Sequence, residues 1–160
     1  METKPQTEEH KHLHRLPITL PWAISVIYFV TCCTHERRQL FVTKEIVKLA
    51  LDELINSRQR LHWGVGGVVF MPDHVHLFCS PPEREGQLIS KFIGAWRSAT
   101  SRRVKDHGME EPFWQKSFFD HLLRSGESYS AKWAYVRDNP GRAGRKDFQR
   151  WFVIDQLELR

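Results

Sequence analysis

Met71-Pro72-Asp73 separates two short, strand-forming runs, His62 to Phe70 before it and His74 to Phe78 after it. Proline has no backbone N–H and a fixed φ, so the chain turns here, and two runs this close fold back as an antiparallel pair. Alternation along the second strand sends residues i and i+2 to one face, so His74 and His76 bring two imidazoles to one point. That is the geometry of a metal clamp. The same spacing also occurs on a solvated sheet face, so the choice between the two depends on what else the chain carries.

The remaining elements follow from periodicity and capping. Ile24 to Thr34, rich in Val, Ile, Tyr, Phe and Thr, favours a strand. Thr43 caps a helix beginning near Lys44, with Glu45 suited to its dipole and Val47, Ala50, Leu51 and Leu54 on one face. Pro81-Pro82 ends the histidine strand. A second helix from Gln87 to about Lys105 buries Leu88, Phe92, Ala95, Trp96 and Ala99 and shows Lys91, Arg97, Arg102 and Arg103 elsewhere. Phe113 to Leu123 predicts another strand, and Ser125-Gly126-Glu127 opens a last helix that Pro140 stops. The order β-α-β-β-α-β plus a terminal helix predicts an α+β fold. It is a ferredoxin-like antiparallel sheet with helices on one face and a C-terminal helix added. A chain of 160 residues suits one domain. We expect a flexible tail over 1–17, the folded domain over 18–147 and an extension over 148–160.

Charge narrows the partner. The net charge is +5, and between Arg84 and Arg150 there are 14 Lys and Arg against 8 Asp and Glu, which favours a polyanion. Cys32, Cys33 and Cys79 form neither an even disulfide set nor a Cys-x-x-Cys pair, and read as small core residues in a reducing compartment. Ile18 to Val30 is apolar but short and interrupted by Pro21, so neither a signal peptide nor a membrane span is expected, which points to the cytoplasm. His10, His12 and His14 alternate in the polar N-terminal stretch and read as tail.

If the last segment is helical, Tyr135 and Asn139 form an i,i+4 pair that projects a phenol and an amide together, although Pro140 disfavours helical geometry at Asn139. Tyr129 falls in register with Trp133 and Val136, an apolar stripe suited to packing, whereas Tyr135 shares its face with Ser128, Lys132 and Asn139. Lys132, one turn before Tyr135, is placed to favour a phenolate.

Several motifs together, in this order, resemble the single-tyrosine HUH transposases and, more narrowly, the REP-associated tyrosine transposases. They are Tyr28-Phe29-Val30-Thr31, Arg37-Arg38-Gln39-Leu40-Phe41, Val69 to Leu77, Trp114 to Arg124 and Tyr135 to Gly144. The likeness spans about Tyr28 to Lys146. It implies an HUH-type endonuclease in which Tyr135 attacks a DNA phosphodiester, leaving a 5′-phosphotyrosine link and a free 3′-OH that can reverse the reaction. It also implies a divalent metal, Mg2+ or Mn2+, held by His74, His76 and Asn139, with imidazole suiting Mn2+ better. The implied partners are single-stranded DNA and DNA hairpins, met as a monomer or homodimer in a nucleoid-associated, cytoplasmic setting, with no membrane. The family often has Asp-His followed by a nearby Arg where this chain has Asp120, His121 and Arg124, and the first two read as supporting or structural.

Arg37, Arg38, Arg97, Arg102, Arg103, Lys116, Arg124, Lys132 and Arg142 are candidate phosphate contacts. Trp63, Trp114 and Trp151 are stacking platforms if exposed and core residues if not. Gly141 stands where relatives commonly have Val. Two other readings remain: a catalytically silent hairpin-binding regulator, and a metallohydrolase using the histidine pair. The second lacks a further His or carboxylate cluster at ligand spacing.

Overall fold

The computed structural model describes residues 26–82, 86–123, 129–144 and 153–154. The N-terminal histidines, Ser125-Gly126-Glu127, Arg124 and Trp151 lie outside the described residues. The first strand, β1 (Tyr28–Cys33), alternates its side chains between two sheet faces and leads through a 3-10 turn at His35–Arg37 toward α1 (Lys44–Leu61). Thr43 starts α1 as expected, its hydroxyl accepting the Ile46 amide. His62 ends the helix in the left-handed conformation at φ 57, so the next strand begins at Gly64 rather than His62.

That strand, β2 (Gly64–Met71), turns at Pro72-Asp73 directly into β3 (His74–Ser80), the predicted hairpin. Helix α2 (Ile89–Asp106) follows. Leu88, expected inside, is exposed just ahead of it, and Ile89 takes the buried place. The strand expected from Phe113 shrinks to β4 (Phe119–Leu122), because Phe113 and Trp114 turn inward against Phe41 and Trp96 instead of extending the sheet edge. Only an isolated bridge from Trp114 to Thr34 remains of its first half. The chain then forms α3 (Tyr129–Arg137), α4 (Asn139–Arg142) and the two-residue β5 (Val153–Ile154).

The antiparallel sheet has the order β4-β1-β3-β2-β5, and its first four strands carry the ferredoxin-like arrangement. Helices α1 and α2 pack on one face over the main core, which holds Val30, Val68, Phe70, Val75, Leu77, Phe92 and Trp96. On the opposite face α3 seals a smaller core of Phe29, Val69, Met71, Phe78, Trp133 and Val136.

A bulge keeps both cores in register. Val65 pairs with Cys79 and Val68 with Leu77, so one extra residue is taken up at Gly66-Gly67 and both valines still face the main core. Gly67 also makes room for α3, since a Cβ there would stand 2.7 Å from Cη2 of Trp133. Among the described residues, no helix is long and apolar enough to cross a membrane.

Candidate active site

Pairing across β1 and β3 sets Thr31 opposite His76 and Cys33 opposite His74, so all four lie on the face away from α1 and α2. The strand period thus delivers both imidazoles to one place. Their Nε2 atoms stand 3.1 Å apart, with the rings nearly perpendicular at 77°. Two imidazole nitrogens each about 2.1 Å from one cation and at a right angle would be about 3 Å apart, so the pair fits two adjacent ligands. Among the described residues, no group of three or more His, Cys, Asp or Glu stands at metal-holding distance.

Each histidine is held from behind. Nδ1 of His74 lies 2.6 Å from Asp73 Oδ1, and Nδ1 of His76 lies 2.8 Å from Thr31 Oγ1. Phe29 stacks on the His76 ring at 5.3 Å. Arg37 donates from Nε to Asp73 Oδ2 at 2.9 Å and from Nη1 to Cys33 Sγ at 2.8 Å. The turn itself is clamped: Thr34 donates its amide and hydroxyl to the Asp73 carbonyl, and the amides of Leu40 and Phe41 donate to the Pro72 carbonyl.

Burial draws the Asp73 carboxyl upward, but His74 and Arg37 outweigh it and hold the group below the usual carboxylate range. Burial, then the charges of His74 and Arg37, push the His76 imidazole from 6.5 down to about 3, against a pull from Asp73. The unfolded chain takes up that proton near pH 6.5 and the folded chain only near 3, so the unfolded state binds more protons in between. Stability is then expected to fall as pH drops through this window. The urea midpoint of metal-free protein, followed from about pH 7 to about pH 4, should decline with a slope that His76→Gln reduces. Equal slopes in the two proteins would remove His76 as the cause.

Helix α3 lies over the same face, with Trp133 and Val136 buried against it. Trp133 meets Phe78 edge-on at 6.0 Å. This is the apolar stripe read from the sequence, and Tyr135 points away from it, 65% exposed. The side chain of Tyr129 lies outside the described residues.

Tyr135 and Asn139 do not share one continuous helix. Pro140 has no N–H to continue the ladder; α3 ends at Arg137 and α4 begins at Asn139, with Pro140 buried in its first turn. Arg142 bridges the two segments. Its guanidinium donates to the Tyr135 carbonyl and to Asn139 Oδ1, and lies 4.0 Å over the Tyr135 ring. Lys132, one turn before Tyr135, holds its ammonium 5.0 Å over the ring of Phe29, which stacks on His76.

The other basic residues divide. Arg38 straps the 110–112 segment by donating to the Glu110 and Pro112 carbonyls. Arg97 donates to the Gln115 carbonyl and lies over Trp114, and burial lowers its pKa. Arg103 pairs with Glu53 at 3.0 Å. Arg102 and Lys116 are exposed on the walls of a groove between α2 and residues 111–116. Trp63 and Trp114 are core residues at 3% and 7% exposure, so neither is a stacking platform. His121 pairs with Phe29 and shares the histidine face, while Asp120 pairs with Val30 and falls on the other.

Sequence reading missed Asp73, Thr31 and the inward role of Arg37. An acid directly before a His-x-His pair was the available signal for the first. For Thr31 none existed, since its place beside His76 depends on sheet register.

Comparison with known proteins gives consistent results. The family described as "Transposase IS200 like" matches residues 23–139. Among solved structures, one described as a REP-associated tyrosine transposase bound to a REP hairpin aligns with a TM-score of 0.66 at 20% identity, covering 80% of this chain and 75% of that one. A putative transposase from Deinococcus radiodurans R1 aligns with a TM-score of 0.55 at 21% identity, covering 78% and 97%. No curated protein matches.

Proposed function

Because the chain belongs to the IS200-like transposase family, we propose that it cuts and rejoins single-stranded DNA beside hairpins, with Tyr135 as the nucleophile. The observation that carries this reading is the convergence of two Nε2 atoms at 3.1 Å on the sheet face that α3 covers, with Tyr135 exposed on that helix. A binding module needs neither a paired imidazole site nor an exposed phenol on the helix that covers the same sheet face. The solved relative bound to a REP hairpin lends the substrate class.

His74 and His76 would hold a divalent cation, Mg2+ or Mn2+, with Asn139 as an oxygen ligand once Arg142 leaves its amide. Bound there, the cation would draw charge from a phosphoryl oxygen. The Tyr135 oxygen would attack the phosphorus and displace the 3′ oxygen, forming the 5′-phosphotyrosine and conserving the bond energy for the reverse step. Arg142 and Lys132 are placed to meet phosphate charge as the strand enters, and Arg102 and Lys116 offer exposed charge to a duplex stem.

One observation favours a second reading, a hairpin binder without chemistry: Arg142 occupies the Asn139 oxygen and covers the Tyr135 ring. A labelled hairpin oligonucleotide with a single-stranded flank distinguishes the two. With Mn2+ we expect a denaturation-resistant protein–DNA adduct and a shortened free strand, both lost on chelation. A stable complex with no adduct under either condition would establish the binder instead.

A further inference from the structure

The two histidines are supported by different chemistry, and the difference fixes where their protons lie. A carboxylate accepts and cannot donate, so Nδ1 of His74, 2.6 Å from Asp73 Oδ1, carries the hydrogen. The Nε2 of a neutral His74 is then a bare lone pair. At 3.1 Å from it, Nε2 of His76 must donate, which leaves Nδ1 of His76 as an acceptor for the Thr31 hydroxyl at 2.8 Å. The donors run in one direction: Thr31 to His76, His76 to His74, His74 to Asp73, with Arg37 donating to the far carboxylate oxygen at 2.9 Å.

We propose that Asp73 and Thr31 are positioning residues with separate duties. Asp73, held by Arg37 and the clamped turn, locks His74 in the tautomer that presents a lone pair. Thr31, whose hydroxyl donates or accepts, lets His76 exchange its Nε2 hydrogen for one on Nδ1 when a cation arrives. One proton passes from Nε2 to water and one from water to Nδ1, so the imidazole stays neutral, and the hydroxyl turns from donor to acceptor. The backbone around Asp73 supports a fixed role. Glu36 and Arg37 both adopt left-handed φ, 52 and 56, an uncommon pair for residues with side chains, and this places the Arg37 guanidinium on Asp73.

This inference rests on reading His74 and His76 as the metal pair, and its test separates the two. Long-range proton–nitrogen NMR on the nitrogen-15-labelled full chain at about pH 8, where a free imidazole is neutral, reports each tautomer. Without metal we expect His74 protonated on Nδ1 and His76 on Nε2. Adding Zn2+, a diamagnetic probe, should move the His76 hydrogen to Nδ1 and leave His74 unchanged. Thr31→Val should weaken Zn2+ binding about 10- to 100-fold, and Thr31→Ser should restore it. Asp73→Asn, whose amide can donate, should give His74 a mixture of tautomers without metal. His76 already protonated on Nδ1 in the metal-free chain, or Thr31→Val binding Zn2+ like the parent, would overturn the proposal. If the parent takes no Zn2+ but shows the metal-free tautomers, the metal reading falls and the duty assigned to Asp73 stands.

Discussion

Tyr135→Phe is expected to abolish the covalent adduct while leaving hairpin binding and melting temperature at the parent's values. The phenol is 65% exposed, so its hydroxyl adds nothing to either core, and the phenyl ring keeps the contact that Arg142 makes with its face. Only the attacking oxygen is lost. Removing the nucleophile from a covalent mechanism costs at least about a thousandfold in rate, so the adduct should vanish from a denaturing gel rather than fade. Undiminished adduct in Tyr135→Phe would transfer the role to another hydroxyl, with Tyr129 the first to replace. A fall in melting temperature would mean that the ring is packed rather than poised.

Gly67→Ala is the second large effect, and it acts from the other side of the interface. The new methyl would stand 2.7 Å from Cη2 of Trp133, a distance that no packed carbon pair tolerates. The bulge fixes the backbone at Gly67, so the indole must move and take α3 with it. Overpacking of this kind costs about 1–3 kcal/mol, or about 2–4 °C of melting temperature per kcal/mol at this size. Adduct formation should fall more than stability does, because the displaced helix carries Tyr135. Combining Gly67→Ala with Trp133→Leu relieves the clash, so the double variant should lose less than the two single losses added together. Additive losses would mean that the ring and the glycine are not in contact.

The elements that sequence made legible are those built on short periods. The β2–β3 hairpin was readable because proline leaves few options, and α1 was readable because Thr43, Glu45 and the apolar stripe agree. The histidine pair followed from the strand period alone. Less legible was whatever depends on register between distant segments. Thr31 reaches His76 across 45 residues, and nothing in Tyr28-Phe29-Val30-Thr31 announces it.

Arg37, Arg38, Arg97 and Arg103 read from the sequence as candidate phosphate contacts, and composition cannot reveal that each guanidinium also has a carboxylate or carbonyl partner on another element. The shortened last strand has a similar cause. Phe113 and Trp114 satisfy strand propensity, but the main core offers their rings more burial than the sheet edge. At Pro140 the local rule did not hold, since Asn139 before it is the first residue of α4; the break falls at Asp138 instead, and Arg142 bridges the two segments that carry Tyr135 and Asn139.

Among the described residues the two cores are unequal: 22 buried side chains hold the sheet to α1 and α2, against six that include the contact with α3. Opening free energies scale with such burial, so α3 is expected to open at lower cost than α1 and α2. A strand joined to that helix would then have a leash with its own melting equilibrium, and handing DNA from one end to another would require only the small core to open.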